Sequence, residues 1–206
     1  MGRYRGAKYK ICRRIGENLW GRPKCPSIKR PYPPGEAGTR STRRKVSNYA
    51  KHLLEKQKMR SYYGLMEKQF FRTFKRANRM RGVTGDNLIQ LLEMRLDALV
   101  YRLGFCPTIF AARQWVNHGH VLVNGKKVDI PSYTCRPGDE ISMREKSRQN
   151  VILLETIQNS APGNLPPYLT RADATFSGRL ESRPEPKDIP IPIIIDRNLV
   201  VEFYSR

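Results

Sequence analysis

The apolar positions of the chain change period several times. From Ser41 onward Val46, Ala50, Leu53 and Leu54 share one helical face, and Met66, Phe70, Phe74 and Ala77 recur every three or four residues, which predicts two amphipathic helices. Asp86 suits the cap of a further helix in which Leu88, Leu91, Leu92, Leu96, Leu99 and Leu103 keep the period, with a break near Glu93 and a stop at Gly104. Thr108 then caps a short helix, and Gly119 stands where a left-handed residue is expected just past its end.

The period next falls to two. Val121/Val123 and Val128/Ile130 flank Asn124-Gly125, a strong type I′ hairpin signal because both turn residues must accept positive φ. "RPGDEISM" at Arg136–Met143 supplies another turn and strand. "RQNVILLETIQ" reads as a helix, "APGNLPPYL" as a loop, and "ATFSGRL" and "NLVVEFYSR" as strands. The pattern predicts an α+β fold: a basic N-terminal arm over 1–40, a helical domain made of 41–93 with 147–206, and a small helix-helix-hairpin module over 94–146, the C-terminal helix and strands packing back on the helical part.

Charge changes the picture. The net charge is +21, and residues 1–81 hold 24 Lys/Arg against 4 Asp/Glu, whereas residues 82–206 hold 15 against 14. A one-signed excess over eighty residues repels itself until something neutralises it, so a polyanion is the expected partner. Membrane is a weaker candidate, since the longest apolar run, Ile189–Ile195, is broken by prolines and far short of the roughly twenty residues that a spanning helix needs. "MGRYRGAKYKICRR" has charges but no apolar core of a secretory signal, so the chain reads as soluble and intracellular.

The candidate contacts follow the charge. On the arm they are Arg3, Arg5, Lys8, Arg13, Arg14, Lys29, Arg30, Tyr32 and Arg40, ending in the "KRPYPPG" segment whose prolines favour extended backbone. On the helices, opposite the apolar faces, they are Arg43, Arg44, Lys45, Lys51, Lys58, Arg72, Lys75, Arg76 and Arg79. In the module Arg113 and Gln114 share an exposed helix side with Asn117, His118 sits in the last turn where the helix dipole favours a cation, and Lys126 and Lys127 stand at the hairpin tip. Arg113, Gln114, His118, Lys126 and Lys127 are expected to ring one surface facing the polyanion.

"RLDALVYRLGFCPTIFAARQWVNHGHVLVNGKKVDIPSYTCRPGDEI", Arg95–Ile141, closely resembles a small RNA-binding module found in several protein families. Together with "MGRYRG", "KRPYPPG", the helical region before the module and the ending "VEFYSR", the whole chain resembles the S-four family of small-subunit ribosomal proteins, of bacterial or organellar type. That resemblance implies a structural, non-enzymatic constituent of the small ribosomal subunit, a primary rRNA binder that nucleates assembly and contributes to translational accuracy. It implies small-subunit rRNA, the neighbouring protein S-five and mRNA near where it enters the ribosome as partners, with no membrane and no small-molecule substrate. The expected location is the cytoplasmic ribosome, or alternatively an organellar one.

Two rival readings remain. The same module is appended to pseudouridine synthases and some aminoacyl-tRNA synthetases, but only about sixty residues follow it here, with no nucleophile-base pair or phosphate loop among them. A stand-alone RNA-binding accessory protein would not need the basic part. No cofactor is expected. His118 and His120 lie at a helix end and a strand start, which disfavours paired metal ligation. Some relatives hold zinc with four arm cysteines, but this arm has only Cys12 and Cys25, Tyr9 stands where a partner of Cys12 would be, and His52, the conceivable third ligand, sits inside a predicted helix. Cys106 and Cys135 are expected as small core residues.

Overall fold

A computed structural model describes Tyr4 and residues 6–35, 47–159, 165–171 and 176–205. It divides into two compact units, Met1–Gly85 with Ile191–Arg206, and Asp86–Pro190.

In the first unit the expected extended arm carries two helices, α1 (Lys8–Ile15) and α2 (Pro26–Lys29). They form because Cys12, Leu19 and Cys25 are buried together, with Tyr9, Ile11, Ile15, Trp20 and Ile193 packed around them. Helix α3 (Asn48–Tyr62) starts at Ser47, whose hydroxyl accepts from the Ala50 amide, and Ser41–Val46 lie outside the described residues. The buried side of α3 is not the expected Ala50, Leu53, Leu54 stripe, which is only partly covered. It is His52, Glu55, Lys56, Lys58, Met59, Ser61 and Tyr62, because the charged groups among them are paired internally. Lys58 bonds Glu17 at 2.6 Å and Glu55 at 2.7 Å, and Lys56 bonds Glu67 at 2.9 Å. Helix α4 (Glu67–Asn78) follows the expected pattern, burying Phe70, Phe74 and Ala77, although Met66 precedes the helix and is exposed.

The ending "NLVVEFYSR" is a helix and not the expected strand. Its apolar residues Val200, Phe203 and Tyr204 fall at i, i+3 and i+4, and Asp196 caps it by accepting from the Asn198 amide at 2.9 Å. Within the unit this last helix (Arg197–Ser205) lies on α3, where Glu202 meets His52 at 2.7 Å, and it reaches α4, where the Tyr204 hydroxyl donates to Glu67 at 2.6 Å.

Burial opposes ionisation of Glu67, but the Tyr204 hydroxyl and Lys56 outweigh it and hold the carboxyl below the usual glutamate range. A depressed folded value means stability present above the unfolded value, about 4.3, and lost as pH falls through the folded one. The stability gap between the natural chain and Glu67→Gln, followed by urea unfolding, is therefore expected to shrink on going from pH 7 to pH 3; a constant gap would contradict this.

In the second unit α5 (Thr84–Glu93) and α6 (Leu96–Arg102) meet at the predicted break, and all six leucines of the pattern are buried. Asp86 lies in the first turn of α5 and does not precede it. Helix α7 (Ile109–Asn117) starts as expected, with the Thr108 hydroxyl accepting from the Ala111 amide, and Gly119 has φ +73°. The strands β1 (Val121–Val123), β2 (Lys126–Lys127), β3 (Glu140–Met143), β4 (Leu169–Thr170) and β5 (Ser177–Leu180) form an antiparallel sheet in the order β2-β1-β3-β5-β4. β2 stops before Val128–Ile130; Ile130 precedes Pro131 and opens a turn closed by the Tyr133 amide, leaving it exposed.

β5 pairs with β3 in the register Ile141↔Gly178, so the segment after the module extends the module's sheet, and only the final residues from Ile191 join the helical unit. Gly178 permits this, since a Cβ there would run into Leu103 and stand 3.0 Å from the Thr170 carbonyl oxygen. The helix predicted in "RQNVILLETIQ" is present as α8 (Val151–Asn159).

Candidate nucleic-acid interface

The first unit sorts its cations into two kinds. Along α4 the apolar side is buried, and Arg72, Lys75 and Arg76, with Arg79 just beyond, stand exposed on the other, Lys75 lying 4.7 Å over the Phe71 ring. Lys8, Arg14, Lys29, Arg30 and Lys51 are also exposed. Others are spent inside the protein. Arg13 donates to the Tyr32 carbonyl at 3.2 Å and the Pro33 carbonyl at 3.3 Å, with its guanidinium 4.8 Å over the Tyr32 ring, so this pair pins the proline segment to α1. Lys58 is buried: desolvation opposes its charge, but the hydrogen bonds it donates to Glu17 and Glu55 hold its pKa above the usual lysine value. It cannot face a ligand as expected, because two carboxylates already enclose it. Arg3, Arg5, Arg40, Arg43, Arg44 and Lys45 lie outside the described residues.

In the second unit the hairpin has the predicted turn, Asn124 at φ +50° and Gly125 at +75°. Asn124 is also a clamp that the turn signal did not reveal: its amide group donates to Asp139 at 2.8 Å, and its side-chain oxygen accepts from the Glu140 amide at 2.9 Å. Lys126 and Lys127 are both exposed, but successive strand residues face opposite sides. Lys127 folds back over Gly119, where any side chain would strike its amine end, and so joins His118 at the carbonyl end of α7. Gln114 and His118 are exposed.

Arg113 is buried, contrary to its expected exposed position, because its Nε lies 4.0 Å from an Asp97 carboxylate that also takes a two-pronged bond from Arg95 at 2.9 and 2.8 Å. Burial pulls the Arg113 guanidinium below its ordinary value, Asp97 pushes it back and Arg95 pulls it down again. Asp97 and Arg95 are thus residues that sequence reasoning missed, although both open the quoted module; their spacing gave no sign that they reach Arg113.

Removing both hairpin charges, Lys126→Gln with Lys127→Gln, is expected to flatten the slope of log affinity for small-subunit rRNA against log salt by roughly 1.4–1.8 units while the fold survives. Gly125→Val keeps the charges but opposes the positive φ, and should weaken binding by misplacing them. An unchanged slope in the double variant would remove the hairpin from the interface.

Each histidine ring has other neighbours. The ring centroids of His118 and His120 are 6.1 Å apart, and His120 is bonded to the Ser147 hydroxyl at 2.8 Å; burial, then His118 and Arg144, lower its pKa. His52 has one ring nitrogen 2.5 Å from the Asn48 carbonyl and the other 2.7 Å from Glu202. Among the described residues no three His, Cys, Asp or Glu gather as a metal site. Cys106 and Cys135 are buried, and burial pushes both thiols up to about 12. Burial likewise pushes Cys12 up to about 11; a backbone hydrogen bond at Leu19 pulls the other way, and Cys25 adds to the rise. Metal analysis of the purified chain is expected to find no stoichiometric zinc, and about one zinc per chain, lost on Cys12→Ser, would contradict this.

A helical unit with exposed cations along α4, and a second unit whose helices lead into a lysine-tipped hairpin, make an arrangement suited to binding nucleic acid. The family model described as the ribosomal protein S4/S9 N-terminal domain matches residues 3–93, and that described as the S4 domain matches residues 94–141. The small ribosomal subunit proteins uS4 of Ruegeria sp. and of Phenylobacterium zucineum are 52% and 51% identical to the chain, with full coverage of both partners in each case. The chain belongs to the uS4 family of small ribosomal subunit proteins. Among the described residues no helix is long and apolar enough to cross a membrane.

Proposed function

We propose that the protein is a primary binder of small-subunit rRNA that nucleates assembly of the subunit. As a uS4 family member it is a structural constituent of the small ribosomal subunit and not an enzyme. The observation that carries rRNA binding is the arrangement of α4: one face is sealed by Phe70, Phe74 and Ala77, and the other offers Arg72, Lys75 and Arg76 to solvent. Folded RNA presents phosphates and shape more than base edges, which suits such a surface.

The exposed residues Lys8, Arg14, Lys29, Arg30, Lys51, Arg72, Lys75, Arg76, Arg79, Gln114, His118, Lys126 and Lys127 meet phosphate, joined by Arg3, Arg5, Arg40, Arg43, Arg44 and Lys45. Arg13, Tyr32, Lys58 and Arg113 hold the surface in shape. The protein acts in the cytoplasmic ribosome, beside the neighbouring protein S-five and close to incoming mRNA, and its contacts there contribute to translational accuracy. Omitting the chain from an in vitro reconstitution of the small subunit is expected to stall assembly at an early particle that its later addition rescues. Assembly at an unchanged rate without it would refute the nucleating role.

A further inference from the structure

The N-terminal segment lines a groove of about 670 Å³; Arg13, Lys29 and Arg30 on it are expected contacts, but its apolar lining is not explained by them. Its apolar lining includes Tyr9, Pro26 and Ile28, and Ile28 is 60% exposed. Cations also line it, Lys10, Lys24 and Lys29 among them, and no lining residue is acidic. Tyr9 is held in place from two sides. It packs on the buried Cys12–Leu19–Cys25 cluster, and its hydroxyl is 3.4 Å from an Arg22 nitrogen. The groove therefore has a fixed apolar interior and a cationic surround, within the size range of small-ligand sites.

We propose that this groove takes one unstacked nucleotide of single-stranded RNA, with the base against Tyr9, Pro26 and Ile28 and the flanking phosphates on the lysines. The inference rests on the RNA-binding reading and specifies where that binding involves a base. Charge complementarity selects the occupant: a groove with apolar and cationic lining and no acidic group suits an apolar body that carries negative charge, which is what a nucleotide within a strand offers. Aromatic and apolar surfaces accept any base by its face, so the site discriminates unpaired from paired RNA without reading sequence.

The test uses the full chain with two probes of ten units, oligouridylate and the same ribose-phosphate backbone without bases. The natural chain is expected to prefer the base-bearing probe by about fivefold or more, the lower end of what one stacked base contributes. Ile28→Ser, at an exposed position that the fold does not need, should cut that preference severalfold, whereas Lys24→Gln with Lys29→Gln should weaken both probes alike. Equal affinity for the two probes, or a preference untouched by Ile28→Ser, overturns the groove assignment. Polyglutamate that competes with the natural chain but not with Ile28→Ser also overturns it, in favour of an acidic peptide. Retention of each protein on small-subunit rRNA is measured alongside. A chain that holds rRNA without base preference refutes the groove alone, and one that fails to hold rRNA refutes the reading beneath it.

Discussion

Replacing Arg72, Lys75, Arg76 and Arg79 together with glutamine is expected to flatten the log-affinity against log-salt slope for small-subunit rRNA by roughly 3 units. Each phosphate contact contributes about 0.7–0.9 of a unit through release of condensed counterions. All four side chains are exposed, and the buried side of α4 is left intact, so the unfolding midpoint should stay within the small range of surface substitutions. Lys58→Gln should do the reverse. It removes one buried cation from between Glu17 and Glu55, lowering stability while leaving the salt slope nearly unchanged. If the fourfold variant kept the natural slope, the basic face of α4 would be solvated surface and no part of the interface.

The largest stability effect is expected at Arg102. Glu93 is fully buried and receives Arg102 Nε at 3.0 Å and Nη2 at 2.6 Å, with the Tyr168 hydroxyl at 3.3 Å, while Arg102 also donates to the Pro190 carbonyl at 2.9 Å. Arg102→Met leaves a carboxylate without its cation and should cost about 3–5 kcal/mol. Pairing it with Glu93→Gln removes the stranded charge and should recover much of the loss. Urea unfolding of the single and double variants measures this; additive losses would show that the two groups do not act as a pair.

Much of this architecture could be read from residue pattern because it depends on local signals. The leucine period of α5 and α6, the Thr108 cap, and the Asn124-Gly125 turn each settle their own geometry within a few residues. The failures occurred where a distant partner decided the outcome. The buried face of α3 is polar because Glu17, Glu67 and Glu202 reach it from elsewhere in the unit, and no periodicity within α3 encodes that. The β-branched and aromatic ending read as a strand, yet the Asp196 cap and its packing on α3 make it a helix. Pairing of β5 with β3 depends on Gly178 giving room to Leu103, which draws the segment after the module into the module's sheet.

The same division holds for the interface. Exposure of the α4 cations follows from the apolar face opposite them, so counting along the helix sufficed. Arg113 and Lys58 sit at equally plausible spacings but are buried by carboxylates, Asp97 and Glu17, that helical periodicity does not connect to them. Arg13 and Tyr32, chosen separately as contacts, turn out to hold each other. The groove beside Tyr9 was illegible because it needs α1 and α2 in place, and the proline- and glycine-rich composition suggested an extended arm.

In the proposed reading the chain holds folded small-subunit rRNA by its basic surface. Protein-free rRNA mixed with the purified chain, washed at high salt and sedimented tests it most directly. About one copy of the chain is expected to be retained per rRNA, with the fourfold α4 variant released at clearly lower salt. A chain that washes off at the same salt as the variant, or that is retained equally by duplex DNA of the same length, would contradict it.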